Sequence, residues 1–220
     1  MDTQSGDDLI ERIRTHPDDA AVVGPAANDL LDELYAGYPV ENLGRLIHSD
    51  DDASVKVAAW LLSELGERAA PMLAEIPALL DHPLLYVRFF AVEVVLTNGH
   101  DGALVARSLN LSQDPEPAVR WKVLRFLAGA TVEQLAAGVP QLPVGHIRTL
   151  TEWLIRQETE QADPREIIER LEAGDLTTRL FAAAAAARLS GKDTTLLERA
   201  ADTETEEIRS FALGRLRSSH

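Results

Sequence analysis

Cysteine is absent from the 220 residues. That excludes a disulfide framework, a thiol nucleophile and thiolate-bound zinc, and it suits a reducing cytoplasm. Long apolar runs are missing too. The longest, Leu180 to Ala187, is far below the roughly 20 residues needed to span a bilayer. The opening Met1-Asp2-Thr3-Gln4-Ser5-Gly6-Asp7-Asp8 is polar and acidic, so no signal peptide is expected and the expected location is cytoplasmic. On that expectation the Asn110-Leu111-Ser112 sequon never meets the glycosylation machinery. No Asn-Gly or Asp-Gly turn stands between alternating apolar runs, which leaves strands with little support.

Catalytic signatures are equally scarce. The six histidines, at 16, 48, 82, 100, 146 and 220, are scattered at turns or ends. None belongs to a His-Glu-x-x-His motif or a His-Glu pair, and no Gly-x-Ser-x-Gly, P-loop or dinucleotide fingerprint occurs. The 36 acidic residues offer no pair that stands out for acid–base work. The sequence therefore predicts no metal, no cofactor and no catalytic residue. Basic residues are in deficit: 21 against 36 acids give a net charge of −15. Residues 1–50 hold 11 acids and 3 bases, or −8. Such a field repels nucleic acid, keeps the chain soluble and steers a basic partner inward.

What the chain does have is a repeat. A β-branched residue followed by a basic one recurs at Val55-Lys56, Val87-Arg88, Val119-Arg120, Ile147-Arg148, Thr178-Arg179 and Ile208-Arg209, at intervals of 32, 32, 28, 31 and 30. A period of roughly thirty marks stacked units, none of which can bury its own apolar face. With the β-branched residue as position 0, apolar residues fall at 0, +4, +7, +8 and often +11. Val119, Val123, Phe126, Leu127 and Ala130 are one example. This is the stripe of a helix buried on one side. Position +4 is often alanine (Ala59, Ala91, Ala182, Ala212), which lets a neighbouring helix approach closely, and the alanine run 182–187 reads as tight helix packing.

Before most copies comes a turn rich in acids and proline, such as Ser49-Asp50-Asp51-Asp52, Asp81-His82-Pro83, Asp114-Pro115-Glu116-Pro117, Gly174-Asp175 and Asp202-Thr203-Glu204. These residues end one helix and cap the next. A shorter helix is expected ahead of each turn, at about 40–48, 68–80, 101–112, 131–138, 163–173 and 193–201. Glycines 66, 99, 129, 174 and 191 stand near helix ends, where a left-handed residue is wanted. A helix pair with aspartate in the turn, then valine-arginine and an alanine-rich second helix, resembles the HEAT repeat. The length is similar to that of the short bacterial variety also found in phycobilin lyases. The resemblance covers residues 40–217. It implies an all-α, right-handed α-α superhelix of the armadillo type with about six pairs, at 40–66, 67–99, 100–130, 131–158, 159–191 and 192–220. The fourth copy departs most, with Val144-Gly145-His146 and no aspartate. Residues 1–39 fall outside the period. They are expected to form an acidic cap from helices at about 6–15 and 26–37, joined through Pro17-Asp18-Asp19-Ala20 and Val22-Val23-Gly24-Pro25.

Two sets of residues follow as candidates. The basic +1 residues, Lys56, Arg88, Arg120, Arg148, Arg179 and Arg209, are expected to reach turn aspartates and form a ladder between units. The resemblance puts the second helix of each pair on a concave surface. There +2, +5, +6 and +9 point away from the buried stripe and include Val57, Trp60, Glu64, Phe89, Glu93, Trp121, Arg125, Glu152, Trp153 and Arg156. All three tryptophans are in this set, beside arginine and glutamate, as in a protein-binding hot spot. The expected function is a monomeric, non-enzymatic scaffold for a basic protein, in its sharper form an immunity-type protein masking a basic toxin. HEAT-like DNA glycosylases and bilin lyases are the enzymatic alternatives. The first kind needs a basic groove, which this charge opposes. HEAT-type iron hydroxylases carry repeated His-Glu pairs, and none is present.

Overall fold

Aspartates at helix starts and the scarcity of strand signals set the local structure. The computed structural model describes residues 3–160, 162–191 and 193–218, and among them it contains fourteen α-helices, four 3-10 segments and no strand. The chain forms two compact units, Met1–Asn98 and Gly99–His220. Their boundary falls one residue before that between the second and third copies.

In the first unit, α1 (Thr3–Thr15) and α2 (Ala20–Ala36) form a hairpin. The 3-10 turn Val40–Leu43 runs into α3 (Gly44–Ile47), followed by α4 (Asp52–Glu64). A long 3-10 stretch, Gly66–Glu75, leads into α5 (Ile76–Leu80) and then α6 (Leu85–Asn98). Helix α4 packs on α6 with the small +4 residues Ala59 and Ala91, and Ala58 beside them, wholly buried. Helix α2 begins six residues earlier than expected. Asp19 caps it by accepting from the Ala21 N–H, and the helix continues through Gly24 and Pro25. Pro25 removes one backbone bond but is solvent-exposed, so its ring meets no neighbouring element. Of the five glycines expected to be left-handed, Gly66 alone is (φ +57), while Gly37 (φ 107), not anticipated, closes α2.

A polar knot fastens the hairpin to the rest of this unit. Arg45 donates to Asp7 at 2.6 Å and to Glu11 at 2.5 Å, and the Tyr38 hydroxyl donates to Asp7 at 2.8 Å. Gly6 has no room for a side chain, because the Tyr38 ring comes within 2.5 Å of where a Cβ would stand. Burial, and then the Asp7 carboxylate, push the Tyr38 phenol up to about 12.

The second unit comprises α7 (Gly102–Asn110), α8 (Pro117–Gly129), α9 (Val132–Gly138), α10 (His146–Thr159), α11 (Pro164–Leu171), α12 (Leu176–Leu189), α13 (Thr195–Ala201) and α14 (Glu206–Ser218). Helix α12 is its axis, touching α8, α10, α11, α13 and α14. That accounts for its alanines: Leu180 through Ala187 are all buried, since neighbours close in on every side. A linear stack joins only consecutive repeats. Here α8 lies directly on α12 and α14, and meets them more extensively than it meets α10. Arg120 of α8 reaches Glu207 of α14 at 2.7 Å, with the side chains 14% and 9% exposed. The displaced helix belongs to the aberrant fourth copy. Gly145 gives α10 no side-chain cap, and Val144 in the preceding turn is 92% exposed.

Candidate functional site

An apolar groove of about 390 Å³ lies in the first unit, between α2, α4 and α6. Helix α2 contributes Val23, Gly24, Ala27 and Asn28; α4 contributes Lys56, Val57 and Trp60; α6 contributes Tyr86 and Phe90. The volume is that of a ligand or anchor-residue pocket. Tyr86 is 54% exposed. Phe90 is held edge-to-face by Phe89, with centroids 5.5 Å apart.

Contacts fix how α2 and α4 run. At one end Tyr35 of α2 donates its hydroxyl to the Glu64 carbonyl of α4 at 2.6 Å. Arg68 donates to the Tyr35 carbonyl at 2.9 Å and stands 5.1 Å over its ring. At the other end Val23 and Gly24 face Lys56 and Val57 across the opening. Helices α2 and α4 therefore run the same way, clasped at their C-terminal ends and parted near their starts. Apart from its chain neighbours and the nearby backbone of its own helix, a Cβ on Gly24 would meet no heavy atom within 4 Å.

Lys56, Trp60 and Glu64 are four residues apart and form one stripe of α4. Lys56 and Glu64 are exposed, and neither is held in an ion pair. Asp52, one turn before Lys56, instead approaches His82 Nε2 at 3.9 Å.

The expected surface residues are divided by the fold. In the first unit Val57 and Trp60 line the groove, Glu64 lies at its closed end, and Phe89 and Glu93 are half-buried on α6. In the second unit Trp121 is half-buried under Arg125, whose guanidinium is 5.4 Å from the ring. Glu152 accepts from Arg148 at 3.1 Å, and Arg156 is exposed. Trp153 corrects the sequence reading. It is 0% exposed, because Arg170 of α11 covers its ring at 4.6 Å, so it contributes nothing to an open face.

The basic +1 residues also divide. Arg88 donates to the carbonyls of His82 and Pro83, and Arg120 to those of Asp114 and Pro115, at 2.7–2.9 Å. Each thus ties down the turn before its own helix. Lys56, Arg148, Arg179 and Arg209 depart from the aspartate ladder. Lys56 faces solvent, Arg148 takes Glu152, Arg209 takes Glu206, and the Arg179 Nε is buried without a partner. Turn aspartates cap helices instead: Asp51 accepts from the Ser54 N–H at 2.7 Å and Asp175 from the Thr178 N–H at 2.8 Å. Burial raises the Asp51 pKa, but bonds from Ser49 and Ser54 outweigh it and hold the carboxyl below its ordinary 3.8.

The groove residues on α2 and α6 escaped sequence reading for definite reasons. Gly24-Pro25 reads as a linker, and Tyr86 and Phe90 stand at −1 and +3, off the positions the period singles out. Arg188 was missed as well. It donates to the carbonyls of Leu127 and Ala130 at the end of α8 and pairs with Glu158.

Among the described residues His146 is the one histidine between a hydroxyl and a carboxylate, but Thr178 Oγ1 (3.0 Å) and Asp175 Oδ1 (3.2 Å) both converge on its Nε2. A relay needs the two partners on opposite ring nitrogens, so this cluster is a helix-start clasp. No group of three or more metal-ligating side chains occurs among the described residues; His220 lies outside them. No described helix is long and apolar enough to cross a membrane. No protein-family model matches the chain, and no curated protein matches it.

Proposed function

We propose that this protein is a non-enzymatic HEAT-type scaffold that binds a basic protein partner through the groove of its first unit. The reading takes the chain as helix pairs of about thirty residues, nominally six with an N-terminal cap hairpin. Such pairs wind into a right-handed superhelix where they stack regularly. The close approach of α8 to α12 and α14 interrupts that regularity in the second unit.

The observation that carries the reading is an apolar, tryptophan-floored groove in a strongly acidic unit. Residues 1–98 hold 18 acidic and 6 basic side chains, a net of −12; the remaining residues hold 18 and 15, a net of −3. Apolar surface left open beside charge of one sign is the usual make-up of a docking face. The field attracts a basic partner from a distance and the groove supplies the short-range contact. A basic toxin of the kind that acts on nucleic acid is one partner with this chemistry.

Affinity capture from the native host at low salt is expected to return one dominant basic protein. Trp60→Ala should weaken that complex by about 2 kcal/mol, roughly 30-fold. Gly24→Leu fills the groove from a position with free space around it and removes a helical glycine. It is expected to abolish binding; the helix-propensity gain is offset by crowding of the new Cβ against the Pro25 ring, so thermal stability should stay within about 1 kcal/mol of wild type. Unchanged affinity in both variants would refute the groove as the docking site.

A further inference from the structure

The two open charges on the α4 stripe give the groove a direction. Lys56 stands at the parted end and Glu64 at the end closed by Tyr35, with Trp60 midway. Eight helical residues separate Lys56 from Glu64 by about 12 Å along the axis. Asp32, also exposed and without an ion pair, follows Asn28 by one turn on α2 and so lies toward the Glu64 end. The unit's net charge of −12 is indifferent to how a bound segment lies. The Lys56–Glu64 stripe is not, because it offers a cation at one end and carboxylates at the other.

We infer that the groove takes a dipolar segment of the partner: an apolar centre of about four residues in extended form, with a basic side chain at one end and an acidic one at the other. The basic end lies against Glu64 and Asp32, the apolar centre over Trp60 and Phe90, and the acidic end against Lys56. An extended segment of about four residues covers about 13 Å, which matches the stripe. This rests on the groove being the docking site proposed above. It adds that the partner, basic overall, presents a locally neutral and dipolar sequence there. The long-range field governs encounter and the stripe governs which segment fits.

Three synthetic peptides share a Leu-Phe-Leu-Leu centre and carry Lys and Glu, Lys and Lys, or Glu and Glu at their ends. They are titrated into the full-length chain at 0.15 M salt, with Trp60 environment and heat of binding as readouts. The Lys/Glu peptide is expected to bind about five-fold tighter than either symmetric one. In Lys56→Glu the preference should pass to the Lys/Lys peptide, and in the double variant Asp32→Asn with Glu64→Lys to the Glu/Glu peptide. Wild type binding the Lys/Lys peptide as tightly as the Lys/Glu peptide, with Lys56→Glu leaving that order unchanged, would overturn the inference and leave the docking site intact. If no peptide bound wild type, or if Gly24→Leu bound all three equally well, the docking site itself would fall.

Discussion

Single side chains at helix starts and in the α1–α3 knot set the pH range of the first unit. Asp51 holds its carboxyl below 3.8 through Ser49 and Ser54. A folded-state pKa that is depressed contributes stability above the unfolded value, and that contribution is lost as pH falls through the folded value. Asp51→Ala should cost about 1 kcal/mol at neutral pH. Urea titrations of variant and wild type should begin to converge as the pH falls below about 4 and meet only below the depressed folded-state value. Tyr38 has the opposite sign. Its phenol is raised to about 12, so its contribution is complete below pH 10 and declines as pH rises toward 12. Tyr38→Phe is expected to flatten that alkaline decline. A separate residue-scale lesson comes from Trp153. Its +6 position points outward on an isolated helix, and only the arrival of α11 with Arg170 encloses it. Trp153→Ala should therefore cost about 3–5 kcal/mol with partner affinity unchanged in the folded fraction, measured by calorimetry beside binding.

Among elements, α12 and α2 mark what was legible in the chain and what was not. The buried stripe at 0, +4, +7 and +8 could be read because one helix face meets the core whatever its neighbours are. Ala91, Val94, Val95, Val123, Phe126 and Leu127 are buried accordingly. The alanine run of α12 announced close approach, but not how many helices would make it. That number depends on contacts between residues far apart in sequence. Ala184 is 0% exposed, and Ala184→Leu should destabilise by about 1–3 kcal/mol through overpacking, seen as a lower denaturation midpoint at constant slope. Helix α2 was shortened in the sequence reading because Gly-Pro ordinarily breaks a helix. Here the Asp19 cap and an exposed Pro25 let it continue, and the groove wall was lost from view with it. The β-branched–basic pairs were legible as a repeated feature, whereas their partners were not, since a long arginine can reach a carbonyl, a glutamate or nothing.

At the scale of the whole molecule, two quantities differ between the units: charge, −12 against −3, and topology. Consecutive second helices α4 and α6 meet in the first unit, whereas α8 passes over α10 to meet α12 and α14 in the second. Arg120 and Glu207 seal that longer contact. Removing either partner leaves a largely buried charge without its counter-ion, at a cost of about 3–5 kcal/mol. The two single losses should be far from additive in a double-mutant cycle read by denaturant unfolding, with coupling of about 1–3 kcal/mol. Additive losses would mean that the pair does not hold α14 to α8.

The Arg120–Glu207 contact spans 87 positions of chain, and that distance is also a distance in time. In a strictly serial stack each pair can settle on the one already made as synthesis proceeds. Here the face of α8 that α14 covers stays open while α9 to α13 are being added, and closing so long a loop is slow. The second unit therefore completes its core only once α14 has been made, and until then the apolar seam of α8 stays uncovered.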